Sequence, residues 1–120
     1  MRSFITDKYF DTRQAVDFPQ ANIIQVENVL DALQTLAASH RHTFDYPVIG
    51  ITGSNGKTIV KEWLYQLLLQ DYNIVRSPRS YNSQIGVPLG VWQMGAESNL
   101  GIFEAGISRP GEMEALEKII

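Results

Sequence analysis

The chain has 120 residues, of which 44% are apolar, and it carries a formal charge of -3 with a pI near 5.3. These values suit one soluble globular domain and give no electrostatic support to nucleic-acid binding, which depends on a basic surface. The absence of cysteine excludes disulfides and thiolate metal sites. No stretch approaches the roughly 20 apolar residues of a membrane span or forms a signal sequence, so we expect a cytoplasmic protein without a membrane partner.

Short apolar runs alternate with helical patterns along the chain. Strands are predicted for the runs at 22–26, 46–52, 72–77 and 99–106, of which "YPVIGIT" (46–52) has the continuous apolar character of a buried parallel strand. Helices are predicted from 26 to about 42, from 57 onward, within 85–94 and within 109–120, where Pro110 lies near the first turn. This alternation predicts an α/β fold, with a mostly parallel sheet and flanking helices.

The stretch "GITGSNGKT", residues 50–58, lies between a predicted strand and a predicted helix. Gly53 and Gly56 permit positive φ angles and close approach of a ligand, and the helix N-terminus attracts phosphate oxygens. Lys57 can reach the β- and γ-phosphates, and the hydroxyl of Thr58 is placed to bind Mg²⁺. The usual phosphate loop, G-x-x-x-x-G-K-[ST], requires a glycine at the position of Ile51. An ordinary glycine-rich turn is the alternative, but the order of strand, loop and helix favours a nucleotide site.

Three stretches resemble the central domain of the Mur ligase superfamily, the ATP-dependent amide ligases of peptidoglycan synthesis. "GITGSNGKT" resembles its phosphate loop, in which T-G-[ST]-N-G-K-T replaces the usual spacing. "SYNSQIGVPLGVWQM" resembles its N-x-x-I-G-x-P segment, and "GIFEAGISRPGEMEAL" resembles its E-x-G-x-x-x-x-G-E-[MI] segment. The three occur in the same order here, and the resemblance covers roughly residues 20 to 120.

The resemblance implies a fold like that of phosphate-loop NTPases, with ATP and Mg²⁺ as cofactors. It assigns residues 22–120 to the N-terminal part of the ATP-binding central domain, and position alone assigns residues 1–21 to the tail of a UDP-substrate domain or a linker. Catalytic roles fall on Lys57, Asn82 and Glu104, and the metal ligands would be Thr58 and Glu104. The implied nucleotide-binding residues are Gly53, Ser54, Asn55, Gly56, Lys57 and Thr58.

The amino-acid sequences of the second and third segments most resemble those of the branch that joins D-alanyl-D-alanine to UDP-N-acetylmuramoyl-tripeptide, and within it the form fused to an alanine racemase. In that branch ATP converts the tripeptide carboxylate to an acyl phosphate, which the amine then attacks. A racemase domain would add pyridoxal phosphate. The later histidine ligand, the adenine-binding residues and the C-terminal domain of the family are not found in this sequence. We therefore expect a piece of an enzyme that binds nucleotide weakly and does not ligate alone.

Several alternatives remain at this stage. Glu104 could simply pair with a cation such as Lys57 or Arg109, and Asn82 could cap the next helix. The chain could belong to another Mur ligase or a folylpolyglutamate synthase, or be a stand-alone nucleotide-binding module or a phosphate-loop kinase. The oligomeric state is not predicted.

The remaining conspicuous side chains have simpler interpretations. We expect surface positions for two histidines, solvated loop positions for three arginines, core positions for both tryptophans and a solvated helix face for three glutamates. These residues are His40, His42, Arg76, Arg79, Arg109, Trp63, Trp92, Glu112, Glu114 and Glu117.

Overall fold

The structure, a computed structural model, describes residues 2–9 and 18–120. It divides into two compact units, Met1–Ala32 and Leu33–Ile120. Among the described residues, none of the helices has the length and apolar character needed to span a bilayer. The assignment of residues 1–21 and 22–120 to separate domains remains a prediction.

The first unit contains a two-stranded parallel sheet. Strand β1 (Arg2–Thr6) pairs with β2 (Ala21–Gln25), and the register runs from Arg2 opposite Ala21 to Thr6 opposite Gln25. The prediction of a strand at 22–26 is confirmed to within one residue, whereas β1 was not predicted. Its sequence, "RSFIT", neither alternates between polar and apolar residues nor forms a continuous apolar run, so it gives no strand signal.

Helix α1 (Val29–Arg41) begins just after Asn28, whose side-chain oxygen accepts hydrogen bonds from the backbone N–H groups of Leu30 (2.8 Å) and Asp31 (3.2 Å). This is the usual way in which an asparagine satisfies the free N–H groups of a helix start. The predicted end near residue 42 is confirmed.

The second unit contains a three-stranded parallel sheet with the order β3-β5-β4. In chain order its elements are β3 (Val48–Ile51), α2 (Lys57–Leu68), β4 (Ile74–Arg76), α3 (Gly86–Val91), β5 (Leu100–Glu104) and α4 (Glu112–Glu117). All five residues of the central strand β5 are buried. The predicted α/β fold is confirmed, and each predicted element of this unit is present; Pro110 precedes α4 and its N-cap residue, Gly111.

The alternation of side chains along β5 separates two hydrophobic layers. Leu100 and Ile102 pack on one face with Leu64 and Leu68 of α2. Phe103 packs on the other face with residues of α1, α3 and α4. Because side chains on a strand point alternately to opposite faces, Glu104 shares the face of Ile102 and therefore meets α2.

The buried stripe of α2 differs from the prediction. The helical spacing of five apolar residues predicts that they share the buried face of α2: Val60, Trp63, Leu64, Leu67 and Leu68. Val60, Trp63 and Leu67 are exposed, however, and Trp63 retains 63% of its accessible surface. Leu64 and Leu68 lie on the buried side as expected, and a fully buried lysine, Lys61, lies there with them. The helix is rotated relative to the expectation because Lys61, rather than an apolar residue, occupies the innermost position.

Candidate functional site

The glycine-rich loop joins the end of β3 to the start of α2 and is exposed from Thr52 to Gly56. Gly53 has φ 143° and Gly56 has φ 80°, values that favour glycine. Gly56 is the N-cap residue of α2, and its lack of a side chain leaves the first N–H groups of the helix without a side-chain cap. Such groups are suited to binding an anion.

Lys57 is the first residue of α2, and its side chain folds back over the loop. Its Nζ donates a hydrogen bond to the carbonyl oxygen of Gly53 across 2.7 Å, in a partly exposed position. The ammonium group therefore lies above the same loop whose backbone would hold a phosphate. Residues 53–58, which were predicted to bind nucleotide, follow the carboxyl end of β3; 53–56 are exposed, and 57 and 58 are partly buried.

The carboxylate of Glu104 is fully buried at the carboxyl end of β5. The hydroxyl of Thr58 donates to its Oε2 across 3.0 Å, and Nδ2 of Asn82 lies 3.5 Å from the same oxygen, at the outer limit of hydrogen-bond distance. The backbone N–H of Glu104 donates to Oγ of Ser77 across 3.0 Å. The three residues predicted from separate motifs, Thr58, Asn82 and Glu104, thus meet at one carboxylate oxygen.

The second oxygen of Glu104 faces Lys61. The Lys61 Nζ lies 2.9 Å from Oε1 of Glu104, and both side chains are fully buried. This contact is an ion pair without hydrogen-bond alignment, so Oε1 accepts no hydrogen bond from the described residues. Glu104 does pair with a cation, as the alternative interpretation held, but the cation is Lys61 and not Lys57 or Arg109. The signal for Lys61 was its place three residues before Leu64 and seven before Leu68, on the buried stripe.

Asn82 is held against the end of β5 by its backbone. Its carbonyl oxygen accepts a hydrogen bond from the N–H of Gly106 across 2.7 Å. The alternative role of Asn82 as a helix cap is wrong, because Ile85 is the N-cap residue of α3. In place of a cap from Asn82, the hydroxyl oxygen of Ser83 accepts from the N–H of Gly86 across 3.1 Å.

Several other expectations need correction. Trp92 retains 54% of its accessible surface and is not a core residue, and His40 is partly buried because its ring stacks on Trp92 with centroids 4.6 Å apart. Arg76 is not merely solvated: it forms an ion pair with Glu62 at 2.8 Å and lies 3.9 Å above the ring of Tyr65. His42, Arg79 and Arg109 are exposed as expected, and so are Glu114 and Glu117.

Glu112 was expected on the solvated face of the last helix, but its carboxylate has a structural role. Its Oε2 accepts hydrogen bonds from the backbone N–H groups of Ser108 (2.6 Å) and Arg109 (3.0 Å). These bonds, the Ser108 contact first, hold the pKa of the Glu112 carboxyl below its ordinary value. The carboxylate therefore closes the segment that follows β5 onto the first turn of α4.

The site can be compared with known proteins. The family model of the Mur ligase middle domain matches residues 51–120. The UDP-N-acetylmuramoyl-tripeptide--D-alanyl-D-alanine ligase of Treponema pallidum is 43% identical over 101 residues, which are 83% of this chain and 22% of that protein. The matched segment of the chain contains the glycine loop, Asn82 and Glu104.

Solved structures of ligases also resemble this chain. The MurF ligase of Thermotoga maritima in complex with ADP superimposes with a TM-score of 0.78 at 30% identity, covering 98% of this chain and 32% of that one. A crystal structure of MurF from Acinetobacter baumannii gives a TM-score of 0.83 at 27% identity, covering 96% and 24%. The chain thus spans between about a fifth and a third of the length of these relatives. Sequence and fold together show that the chain belongs to the Mur ligase family, through the middle domain of that family.

Proposed function

We propose that this chain is the phosphate-binding part of an ATP-dependent ligase that joins D-alanyl-D-alanine to UDP-N-acetylmuramoyl-tripeptide in peptidoglycan synthesis. The observation that carries the proposal is the 3.0 Å contact between Thr58, in the first turn after the glycine loop, and Glu104, at the end of β5. It brings a phosphate loop and a buried carboxylate together at the carboxyl ends of the strands, where ligands bind in parallel α/β folds. The names of the relatives support the two substrates.

The loop residues would hold the phosphates of ATP. The N–H groups at the start of α2 and the open backbone of residues 53–56 provide donors, and Lys57 provides a positive charge. Because the Lys57 ammonium is already bound to the Gly53 carbonyl, it is held over the loop before a phosphate arrives. A phosphate oxygen would replace that carbonyl as its acceptor.

Mg²⁺ fits the residues at the end of β5. Thr58 and Glu104 present hard oxygen atoms next to each other, since the Thr58 hydroxyl oxygen lies 3.0 Å from Oε2 of Glu104. Among residues 2–9 and 18–120, no three His, Cys, Asp or Glu side chains cluster as a metal site. This sparse set suits Mg²⁺, which keeps water and phosphate oxygens in most of its positions. When bound, the ion would neutralise charge that develops during phosphoryl transfer.

The reaction that we propose has two steps. The terminal phosphoryl group of ATP passes to the C-terminal carboxylate of the tripeptide, and ADP is released. The amine of D-alanyl-D-alanine then attacks the acyl phosphate, loses a proton and releases inorganic phosphate as the amide forms. In this scheme Asn82, whose amide lies beside Oε2 of Glu104, would contact the transferred phosphoryl group or the acceptor carboxylate. The chain would therefore supply positioning and charge for the first step.

The remaining parts of the proposal concern the whole protein. We propose that the residues for adenine and for the amine substrate lie outside this chain, so that the chain alone forms no amide. We propose a fused alanine racemase, with its own pyridoxal phosphate, from the amino-acid sequences of the second and third motifs. The use of ATP and of a UDP-linked precursor supports a cytoplasmic site of action. The pathway would connect the enzyme to cell shape and cell division.

The direct test is calorimetric titration of the chain with ATP and Mg²⁺, beside Lys57→Ala and the surface control Lys118→Ala. Loss of a charge-assisted contact costs about 1.5–3 kcal/mol, so Lys57→Ala is expected to weaken binding roughly 10- to 100-fold. Lys118, which is exposed at the end of α4, should have no effect. Equal affinity of the wild type and Lys57→Ala would remove the phosphate-loop assignment.

A further inference from the structure

Lys61 is the most deeply buried charged residue of the described chain, together with Glu104. A lysine is almost never fully buried unless it is paired, because removal of its charge from water is costly. Its neighbours show how this cost is offset. Nζ of Lys61 donates to the carbonyl oxygens of Ser77 (2.9 Å) and Arg79, and lies 2.9 Å from Oε1 of Glu104.

These partners come from three different parts of the fold. Lys61 lies in α2, Glu104 ends β5, and the two carbonyl groups belong to the segment that follows β4. Glu62, the neighbour of Lys61, adds a more distant carboxylate oxygen at 3.3 Å. The Lys61 ammonium is therefore surrounded by protein acceptors and fully buried, unlike that of Lys57, whose partner in the described residues is one exposed carbonyl. Lys61 is in no position to bind phosphate.

We propose that Lys61 is a positioning residue that sets the orientation of Glu104 and the path of residues 77–82. The first effect follows because the two oxygens of the Glu104 carboxylate have different partners. Since Lys61 holds Oε1 through charge, Oε2 is the oxygen that faces Thr58 and Asn82. A cation at this site would meet Glu104 through one defined oxygen rather than through a freely rotating carboxylate.

The second effect concerns the segment that carries Asn82. Two of its carbonyl groups point inward to Lys61, and Arg79 adopts a φ of 50°, a left-handed conformation that is unfavourable for a residue with a side chain. The hydrogen bonds from Lys61 offset this cost. Downstream, the segment reaches β5, where the Gly106 N–H donates to the Asn82 carbonyl. Lys61 thus determines where Asn82 lies.

Amide hydrogen exchange in the nucleotide-free chain tests the position of the segment. The Gly106 N–H reports the contact with Asn82, and the Gly101 N–H, which donates to Pro47 at 3.0 Å near the other end of β5, reports general unfolding. We expect Lys61→Met to lose protection at Gly106 selectively, whereas the surface control Lys118→Met keeps both. A uniform loss at both amides would assign Lys61 a merely structural role and overturn the proposal.

Lys61→Met leaves Glu104 buried without a counter-charge and can prevent folding. The double variant Lys61→Met/Glu104→Gln removes both charges and should fold, yet it still lacks the donor for the Ser77 and Arg79 carbonyls. The same selective loss at Gly106 is expected in it. Wild-type protection of Gly106 in this folded double variant would overturn the proposal for the segment.

The effect on Glu104 rests on the proposed function and is tested with Mn²⁺ and ADP, by electron paramagnetic resonance of free Mn²⁺. Residues that orient a metal ligand typically contribute about 10- to 100-fold to metal affinity, which is the loss expected for Lys61→Met. If Lys61→Met binds like the wild type, the effect on Glu104 is refuted. If the wild type itself fails to bind Mn²⁺ with ADP, the proposed function fails instead, and hydrogen exchange alone decides the role of Lys61.

Discussion

The hydroxyl of Thr58 donates to Oε2 of Glu104 across 3.0 Å, although the two residues are 46 positions apart in the chain. The bond joins the first turn of α2 to the last residue of β5, so the phosphate loop and the carboxylate are held in fixed relation. Because Glu104 is fully buried, bulk water cannot replace Thr58 as the hydrogen-bond donor to Oε2. The bond is therefore expected to matter for stability as well as for binding.

Replacement of Thr58 by valine should destabilise the fold. Valine keeps the shape of threonine but removes the donor, and a hydrogen bond to a charged group contributes about 1.5–3 kcal/mol to stability. Thr58→Ser keeps the hydroxyl and is the matched control. Urea denaturation followed by circular dichroism gives the free energies of unfolding. If Thr58→Val proves as stable as Thr58→Ser, the hydrogen bond between Thr58 and Glu104 contributes nothing to the free energy of unfolding.

Gly56 and Gly111 form a natural pair for testing the glycine loop. They have φ angles of 80° and 84°, each is the N-cap residue of a helix, and a Cβ on either would meet no atom within 4 Å. Alanine at either position should therefore cost about 1–2 kcal/mol through backbone strain alone. Only Gly56→Ala should weaken the binding of ATP with Mg²⁺, measured by calorimetry. A similar loss of affinity in Gly111→Ala would mean that strain, and not the loop, determines binding.

Trp63 and Phe103 test the revised orientation of α2. Trp63 is largely exposed, so Trp63→Ala should change the free energy of unfolding by only about 0.5 kcal/mol. Phe103 is fully buried, and Phe103→Ala should cost about 3–5 kcal/mol. Thermal or urea denaturation of both variants decides the matter. A large loss in Trp63→Ala would show that the side chain is covered and would restore the original expectation of a core tryptophan.

Glu112 makes the stability of the chain dependent on pH. Its carboxyl has a pKa below the ordinary value of 4.5 because the N–H groups of Ser108 and Arg109 bind the charged form. A depressed pKa in the folded state stabilises the fold at pH values above the unfolded pKa, and this contribution disappears as the pH falls through the folded value. Glu112→Gln should therefore be less stable than the wild type at pH 7.

The difference in Tm between these two proteins should shrink as the pH falls below about 4.5. Glu114→Gln, on the exposed side of the same helix turn, is the control and should show no such convergence. A difference that stays constant between pH 7 and pH 3 would exclude the carboxylate charge as its origin.

Much of the fold was predictable because local signals agree with tertiary packing. Helix α2 begins at Lys57 as expected, since a glycine-rich loop followed by apolar periodicity leaves little choice for its start. Strand β5, Leu100–Glu104, lies within the predicted run at 99–106, because its apolar residues indicate a buried parallel strand. The motif residues Thr58, Asn82 and Glu104 were predicted as site residues from separate segments, and the parallel sheet places them together.

The errors in the orientation of α2 arise from the assumption that charged residues face solvent and apolar residues face the core. Lys61 was overlooked because a lysine is normally placed on the solvent side, and its burial depends on Glu104 and two carbonyl groups that are distant in the chain. Once Lys61 turns inward, Trp63 must turn outward on the same helix. Partners that are distant in sequence leave no local pattern, so periodicity alone could not have revealed either position.

The order of the strands also has a consequence for how the molecule folds. In the described chain β3 and β4 each pair with β5, which follows both of them in the sequence, and not with each other. Loops must therefore close over long stretches of chain before any pairing in this sheet is gained, a topology that slows folding. Among the strands of residues 2–9 and 18–120, the end of β3, from which the glycine loop starts, gains its partner only when β5 docks, and β5 carries Glu104 with it. We therefore expect support for the loop and the carboxylate beside it to arise in one event, so that a chain caught before that event has neither.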